Sequence, residues 1–318
     1  MRTALFLVIQ RVALGGLLLV LVSVLIFAGT LVLPGDVAQS ILGRSATPEA
    51  IANLREELGL NEPAVTRYFA WLGGVLRGDL GTALSSGADI AGSIGFRLQN
   101  TLFLAFWAAL FSIPIAIMLG LIAVRFKNRF PDRLISGATL ASISLPEFFI
   151  GYLLILVFGV KLGWLPSVSV INDGMSFGER LQAIILPALT LMLVVLAHMM
   201  RMTRAAILNV IESDYIETAE LKGLGRFKII WKHALPNAVA PIVNVVTLNM
   251  AYLIVGVVVV EVIFVYPGMG QYLVDHVAKR DVPVVQACGL IFAAIYISLN
   301  LLADVVSILT NPRLLHPK

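Results

Sequence analysis

Charge is what this sequence has least of. Only 13% of its 318 residues are Asp, Glu, Lys or Arg, against 59% apolar, and mean hydropathy is +0.93. A soluble globule carries roughly a quarter charged residues, so a soluble fold is excluded. A single cysteine, Cys288, leaves no disulfide framework. The four histidines (His198, His233, His276, His316) are scattered, and no Cys/His cluster has metal-ligand spacing. H-E-x-x-H, G-x-S-x-G and G-x-x-x-x-G-K-[ST] are all missing. The sequence therefore offers no catalytic residues, no metal site and no nucleotide hydrolysis of its own.

What the sequence has in plenty is long apolar runs. Val12–Leu33, Thr101–Val124, Leu181–Met200 and Ala238–Val260 hold no Asp, Glu, Lys or Arg. Leu134–Val160 holds only Glu147, and Val284–Leu309 only Asp304. Each matches the length a helix needs to cross about 30 Å of hydrocarbon. The first run follows Arg2 and Arg11 but has 22 residues, beyond the roughly 7–15 of a signal-peptide core. It is expected to be a retained helix. The fold class is an all-α polytopic membrane protein with six transmembrane helices.

With six spans both termini share one side. The N-terminus, the 125–133 loop, the 201–237 loop and the C-terminal tail carry fourteen Lys/Arg, whereas 161–180 and 261–283 carry four. Basic residues in short loops stay inside, so the termini and the 201–237 loop are expected in the cytoplasm. The net charge of +4 thus reflects topology, and no nucleic-acid partner is implied. Three segments result: 1–33, the N-terminus with helix 1; 34–100, an external segment; and 101–318, a five-helix core.

The external segment is organised. Thr47-Pro48-Glu49 forms a helix start, Ile51, Leu54 and Leu58 follow at helical spacing, and Gly59 suits the stop. A second amphipathic helix is expected from Pro63, carrying Val65, Tyr68, Phe69, Leu72 and Leu76. The glycines Gly73, Gly74, Gly78 and Gly81 would then turn the chain back. A structured connector is the simplest role; a flap over a pore mouth, or a contact for an external delivery protein, is the alternative.

Polar groups inside spans are costly in lipid and default to functional candidates. Glu147, Asn249 and Asp304 are the candidates for a translocation path, with interhelical hydrogen bonds as the competing role. Asn244, Thr247, Asn300 and His198 are read as bundle hydrogen-bonding groups. Paired broken helices in inverted repeats, a carrier signature, are not evident.

The 37-residue polar stretch 201–237 is the place to meet a soluble partner. It carries six basic residues and four acidic ones, Glu212, Asp214, Glu217 and Glu220. Arg201 and Arg204 fit a helix end near anionic lipid. Glu217-Thr218-Ala219, then Gly223, with Leu235-Pro236 closing the stretch, resembles the EAA loop of binding-protein-dependent ABC importer permeases. The run Asp214-Tyr215-Ile216-Glu217-Thr218-Ala219-x-x-Lys222-Gly223 is similar to the dipeptide/oligopeptide/nickel branch. Pro34-Gly35-Asp36, Leu58-Gly59-Leu60-Asn61-x-Pro63 and Gly78-Asp79-Leu80-Gly81 resemble that branch's outer segment. Arg97-Leu98-x-Asn100-Thr101-Leu102 resembles its entry to span 2. Glu261-x-x-Phe264-x-x-Pro267-Gly268-x-Gly270 resembles its outer turn, and Asn311-Pro312-Arg313 its ending. Thr218 and His233 depart from the generic loop pattern.

The resemblance implies a type I ABC importer permease fold in the plasma (inner) membrane of a prokaryote. It implies a second homologous permease subunit, two cytoplasmic ATPase subunits that bind ATP and magnesium, and an external solute-binding protein. This chain would hold no cofactor. The ATPase-docking residues would be Tyr215, Glu217, Thr218, Ala219, Glu220, Lys222, Gly223, Leu235 and Pro236, with Ala219 and Gly223 permitting close approach. Di- or oligopeptides are the first expected cargo; nickel, glutathione and oligosaccharides are alternatives within the branch. A secondary carrier or a membrane scaffold would be the readings from other classes. Docking predicts that Gly223→Val abolishes uptake while membrane levels of the chain stay normal, which a transport assay paired with an immunoblot of membranes checks.

Overall fold

The computed structural model describes residues 2–32, 37–43, 46–172 and 174–310, apart from the side chains of 2–5, Ser40, Arg226 and 307–310. Pro34-Gly35-Asp36, Asp173, Asn311-Pro312-Arg313 and His316 therefore lie outside the described residues. The described chain is helical almost throughout and forms no strand beyond a single bridge between Thr82 and Asp89. That is what hydrocarbon demands, since a helix satisfies its backbone polar groups within itself.

Five helices are long and apolar enough to span: α1 (Arg2–Val32), α5 (Ile90–Arg125), α8 (Phe177–Ile211), α11 (Leu235–Ile263, continuing a π-helical turn Ile229–Ala234) and α13 (Val282–Thr310). Between α1 and α5 lie α2 (Val37–Leu42), α3 (Pro48–Glu57) and α4 (Ala64–Leu76). The third expected span is not one straight crossing. It is α6 (Phe130–Ser144) and α7 (Glu147–Leu154, extended by a π-helical turn Ile155–Lys161), bent by 104°. Proline explains the break: Pro146 forces the residue before it out of the helical region, and Leu145 is extended at φ −91°, ψ 134°. Among the described residues one broken helix is thus present, and not an inverted pair.

The structure also redraws the polar stretch. Residues 201–211 belong to α8, and from 214 the chain is again largely helical: α9 (Asp214–Leu221), α10 (Arg226–Lys228), the π-helical turn and α11. Short helices are what the resemblance implies for this stretch, but they begin only at 214. Bundle spans routinely outrun their apolar windows, because Arg201 and Arg204 can extend along a helix that leaves the bilayer. The last element is α12 (Met269–Lys279), which precedes α13.

Two compact units divide the described chain. One comprises the described parts of Met1–Gly15, Leu102–Tyr266 and Tyr296–Lys318; the other comprises those of Gly16–Thr101 and Pro267–Ile295. In the first unit, Leu121, Val124, Ile207, Ile230, Ala234, Ala238 and Ile242 form a core uniting α5, α8 and α11. α8 begins with a capping box in which Ser176 and Glu179 satisfy each other's backbone N–H. Near its other end Arg204 makes a two-pronged ion pair with buried Asp132 of α6, Nε and Nη2 each 2.9 Å from a carboxylate oxygen. Asp132 also accepts from the Asn128 backbone N–H at 2.9 Å, which ties the α5–α6 turn to α8. The lipid-facing role expected of Arg204 is therefore corrected: it is a structural partner of Asp132.

The second unit holds the external segment. Thr47 caps α3, its hydroxyl accepting from the Ala50 N–H at 3.3 Å, and Gly59 takes φ +62° just past the end, both as expected. Gly73 and Gly74, expected to return the chain, instead lie inside α4. The return is made after it, where Gly78 and Gly81 have φ of +83° and +77°. Tyr68 of α4 lies 2.8 Å from the Ser23 hydroxyl and meets the Phe27 ring edge-on, fastening α4 to α1. Asp281 is buried and accepts from the backbone N–H groups of Leu84 and Ser85 at 3.1 and 2.8 Å.

With Arg204 27% exposed, this pair is half buried. Removing one partner should cost more than the about 0–1 kcal/mol of an exposed pair and less than the about 3–5 kcal/mol of a fully buried one, whereas replacing both is milder. Asp132→Ala should accordingly lower the melting temperature of the detergent-purified protein markedly. The double variant Asp132→Leu/Arg204→Met should recover most of the loss, as a thermal-aggregation series would measure.

Candidate functional site

α9 is a short helix whose two faces differ sharply. Asp214 and Glu217 stand in its first turn, where negative charge suits the helix dipole. Ile216 is 1% exposed and Ala219 8% exposed. Both pack with Ile229 of the π-helical turn, under Ile211 of α8 and Leu224. The other face is free: Tyr215, Glu217, Thr218, Glu220, Leu221 and Lys222 are exposed, Leu221 at 83%. Thr218 uses its hydroxyl on the Asp214 carbonyl at 3.0 Å.

The helix stops through a glycine. Gly223 has φ +76°, its N–H donates to Glu220 O at 2.8 Å, and the Leu224 N–H donates to Ala219 O at 3.3 Å. This is a Schellman ending, in which Leu224 also reaches the apolar cluster. A Cβ at Gly223 would meet nothing within 4 Å among the described residues. The space beside it is open to a partner, but what the chain itself needs from Gly223 is the left-handed conformation. Ala219 requires a correction: its methyl group is spent on the chain's own core and is not offered for close approach. Beyond the turn, Leu235 is half-buried against the α5–α8–α11 core and Pro236 is exposed in the first turn of α11, where its missing N–H costs least. Tyr215 Oη lies 3.5 Å from the His233 carbonyl, which also accepts from Asn237 Nδ2 at 2.7 Å.

Sequence reasoning fixed on the small and charged residues and passed over the exposed apolar ones. Leu221, Phe227 and Trp231 are all at least half exposed. Their signal was legible as apolar residues in an otherwise polar stretch, and of the three Phe227 and Trp231 are adjacent, with ring centres 6.0 Å apart.

The three candidates for a translocation path are not brought together. Glu147 begins α7, and its carboxylate packs on Gly256 of α11, where a Cβ would stand 3.0 Å from Oε1. Asn249 is buried in α11 and donates to its own helix at Val245 O, 2.7 Å away. Asp304 of α13 pairs with Arg11 of α1 at 3.2 Å. Asn249 and Asp304 thus each have a partner within the chain, and Glu147 stands at a helix start inside a broken span.

The outer turn is a buried corner. Glu261, Phe264, Tyr266, Gly268, Met269 and Gly270 are buried, and Val265 takes φ +51°. Burial, with the Glu261 carboxylate nearby, pushes the Tyr266 phenol up. Asn100 Nδ2 donates to Pro267 O at 3.0 Å, and the Met269 N–H donates to Thr101 Oγ1 at 2.8 Å. Arg97 lies 4.3 Å over the Tyr272 ring. The motif at the entry of span 2 and the outer-turn motif, 167 residues apart, are therefore halves of one joint.

Residues 90–316 match the family described as binding-protein-dependent transport system inner membrane component. Residues 4–107 match the N-terminal family of such membrane components. The chain is 39% identical over 294 residues to the glutathione transport system permease protein GsiC of Escherichia coli O6:H1, covering 92% of this chain and 94% of that protein. It is 38% identical, with the same coverage of both chains, to the protein of that name in Shigella flexneri serotype 5b.

An L-residue in the left-handed region costs about 1–2 kcal/mol, Asn being tolerated better than most. Gly223→Asn should therefore retain most uptake, Gly223→Ala an intermediate level and Gly223→Val least, with uptake measured at matched membrane levels. Equal loss in all three would instead mean that the space beside Gly223, and not its conformation, is what matters.

Proposed function

This chain belongs to the family of inner-membrane permease components of binding-protein-dependent ABC importers, and we propose that it forms one half of a pathway for short peptides, glutathione among them. The observation that carries the coupling role is α9, held by Ile216 and Ala219 while Tyr215, Glu217, Glu220 and Leu221 remain exposed. Its exposed face docks on a cytoplasmic ATPase, with Leu221 as apolar anchor and Glu217 and Glu220 paired to basic groups at the rim. Rim pairs contribute only about 0–1 kcal/mol each, so Leu221 carries the larger share.

The fold supports transmission from there. α9 is packed beneath Ile211 at the end of α8, and α8 is tied to α6 through Arg204 and Asp132. When paired ATPase subunits close on ATP, the docked helix moves with them, and α8 carries that displacement into the bundle. Alternating access then requires each docked helix to bias a two-state bundle. A second permease supplies the other half of the pathway, and both termini share the cytoplasmic side with α9. The glutathione permeases among the relatives favour a small peptide cargo over nickel or an oligosaccharide. Glutathione is itself a tripeptide.

The test uses the complete importer in proteoliposomes, with its binding protein loaded with glutathione or with a dipeptide. Leu221→Glu should cut stimulation of ATP hydrolysis by the loaded binding protein at least about tenfold, the loss expected of one interface anchor. Unchanged stimulation would remove α9 from the coupling route, and stimulation by neither ligand would remove the peptide assignment.

A further inference from the structure

An apolar groove of about 460 Å³ runs beside the last third of α5, lined by Pro114, Ile117, Met118 and Leu121 on one wall and Phe227 and Trp231 on the other. Among the described residues that line it, Arg125 alone is charged, and it is the last residue of α5. Eleven residues separate Pro114 from Arg125. That is a rise of about 16 Å, matching the roughly 15 Å hydrocarbon depth of one leaflet.

The basic end is distinctive. The Arg125 guanidinium lies 5.2 Å from the Phe227 ring centre and 5.4 Å from that of Phe126. Lys228 and Lys232, each next in sequence to a groove aromatic, are exposed. Phe227 and Trp231 lie one turn apart with ring centres 6.0 Å from each other and planes tilted by 50°, both half exposed. Trp231, with its polar indole N–H on an apolar ring, is of the type enriched at the level of lipid headgroups. An apolar slot one leaflet long, with the Arg125 cation at its end and two exposed lysines on the neighbouring helical turns, is complementary to an amphiphile with a negative head.

We propose that this groove is a binding site for an anionic phospholipid, one acyl chain lying along α5 and the phosphate facing Arg125, Lys228 and Lys232. A protein occupant fits less well. A helix about 10 Å across and as long as the groove occupies about 1,250 Å³, more than the roughly 930 Å³ of empty space in and around it, whereas a single acyl chain is thin enough to enter. Basic pockets between spans are a general solution for acidic headgroups. The site depends on the chain lying in a bilayer, not on which solute it carries.

The test is native mass spectrometry of the complete complex, stripped of lipid and titrated with phosphatidylglycerol or phosphatidylcholine. Arg125→Gln should lower phosphatidylglycerol occupancy about fivefold and leave phosphatidylcholine unchanged, while Arg125→Lys stays near wild type. Met118→Trp, at an exposed position that tolerates bulk, should remove both lipids by filling the slot. A photoreactive residue at Ile117 should gain the mass of a lipid. Equal phosphatidylglycerol occupancy in all variants, equal loss with Lys and Gln, or a crosslink from Ile117 to another protein subunit would each overturn the assignment.

Discussion

Everything proposed for the cytoplasmic face depends on two side chains, Ile216 and Ala219, being buried against Ile229. An eight-residue helix is too short to be stable alone. α9 exists because this apolar face is covered and because Gly223 ends it cleanly. The same burial serves the proposed coupling: a helix held by the bundle would transmit force, where a flexible loop would absorb it. The contact route from α9 to α8, and from Arg204 to Asp132, is continuous packed structure.

Inside the spans the polar groups mostly serve the helices themselves. Thr139, Thr190, Thr247, Asn249 and Asn300 all donate to the carbonyl one turn back. This satisfies the donor without calling on a neighbour, and explains why an intramembrane Asn need not mark a path. Asp304 is similarly accounted for by Arg11. Glu147 differs because Pro146 has broken the helix in front of it, leaving its carboxylate at a fresh helix start against Gly256 of α11.

Much of this was legible in the sequence, for identifiable reasons. Hydrophobic length gave the spans, because helix rise and bilayer thickness leave little freedom. Local capping chemistry gave Thr47 and Gly59. The sequence was less informative wherever a decision belonged to tertiary contact. That Ala219 faces inward depends on Ile229, ten residues later, and that Arg204 pairs with Asp132 depends on two helices meeting. The short helices within 201–237 were legible only through the resemblance, because polarity marks departure from lipid and says nothing of helix. Pro146 announced a kink, but the size of the bend was set by packing. The joint between Asn100–Thr101 and Pro267–Met269 was present as two motifs, with nothing in either to say that they meet.

The central claim is that this chain works only as the coupling half of a larger machine. The most direct measurement is to tag it in its own host, extract it in mild detergent and identify what co-purifies. Recovery of a second permease together with ATPase subunits, in fixed proportion across several detergents, is the predicted result. Recovery of the chain alone, still supporting solute uptake after reconstitution without any ATPase, would contradict the account.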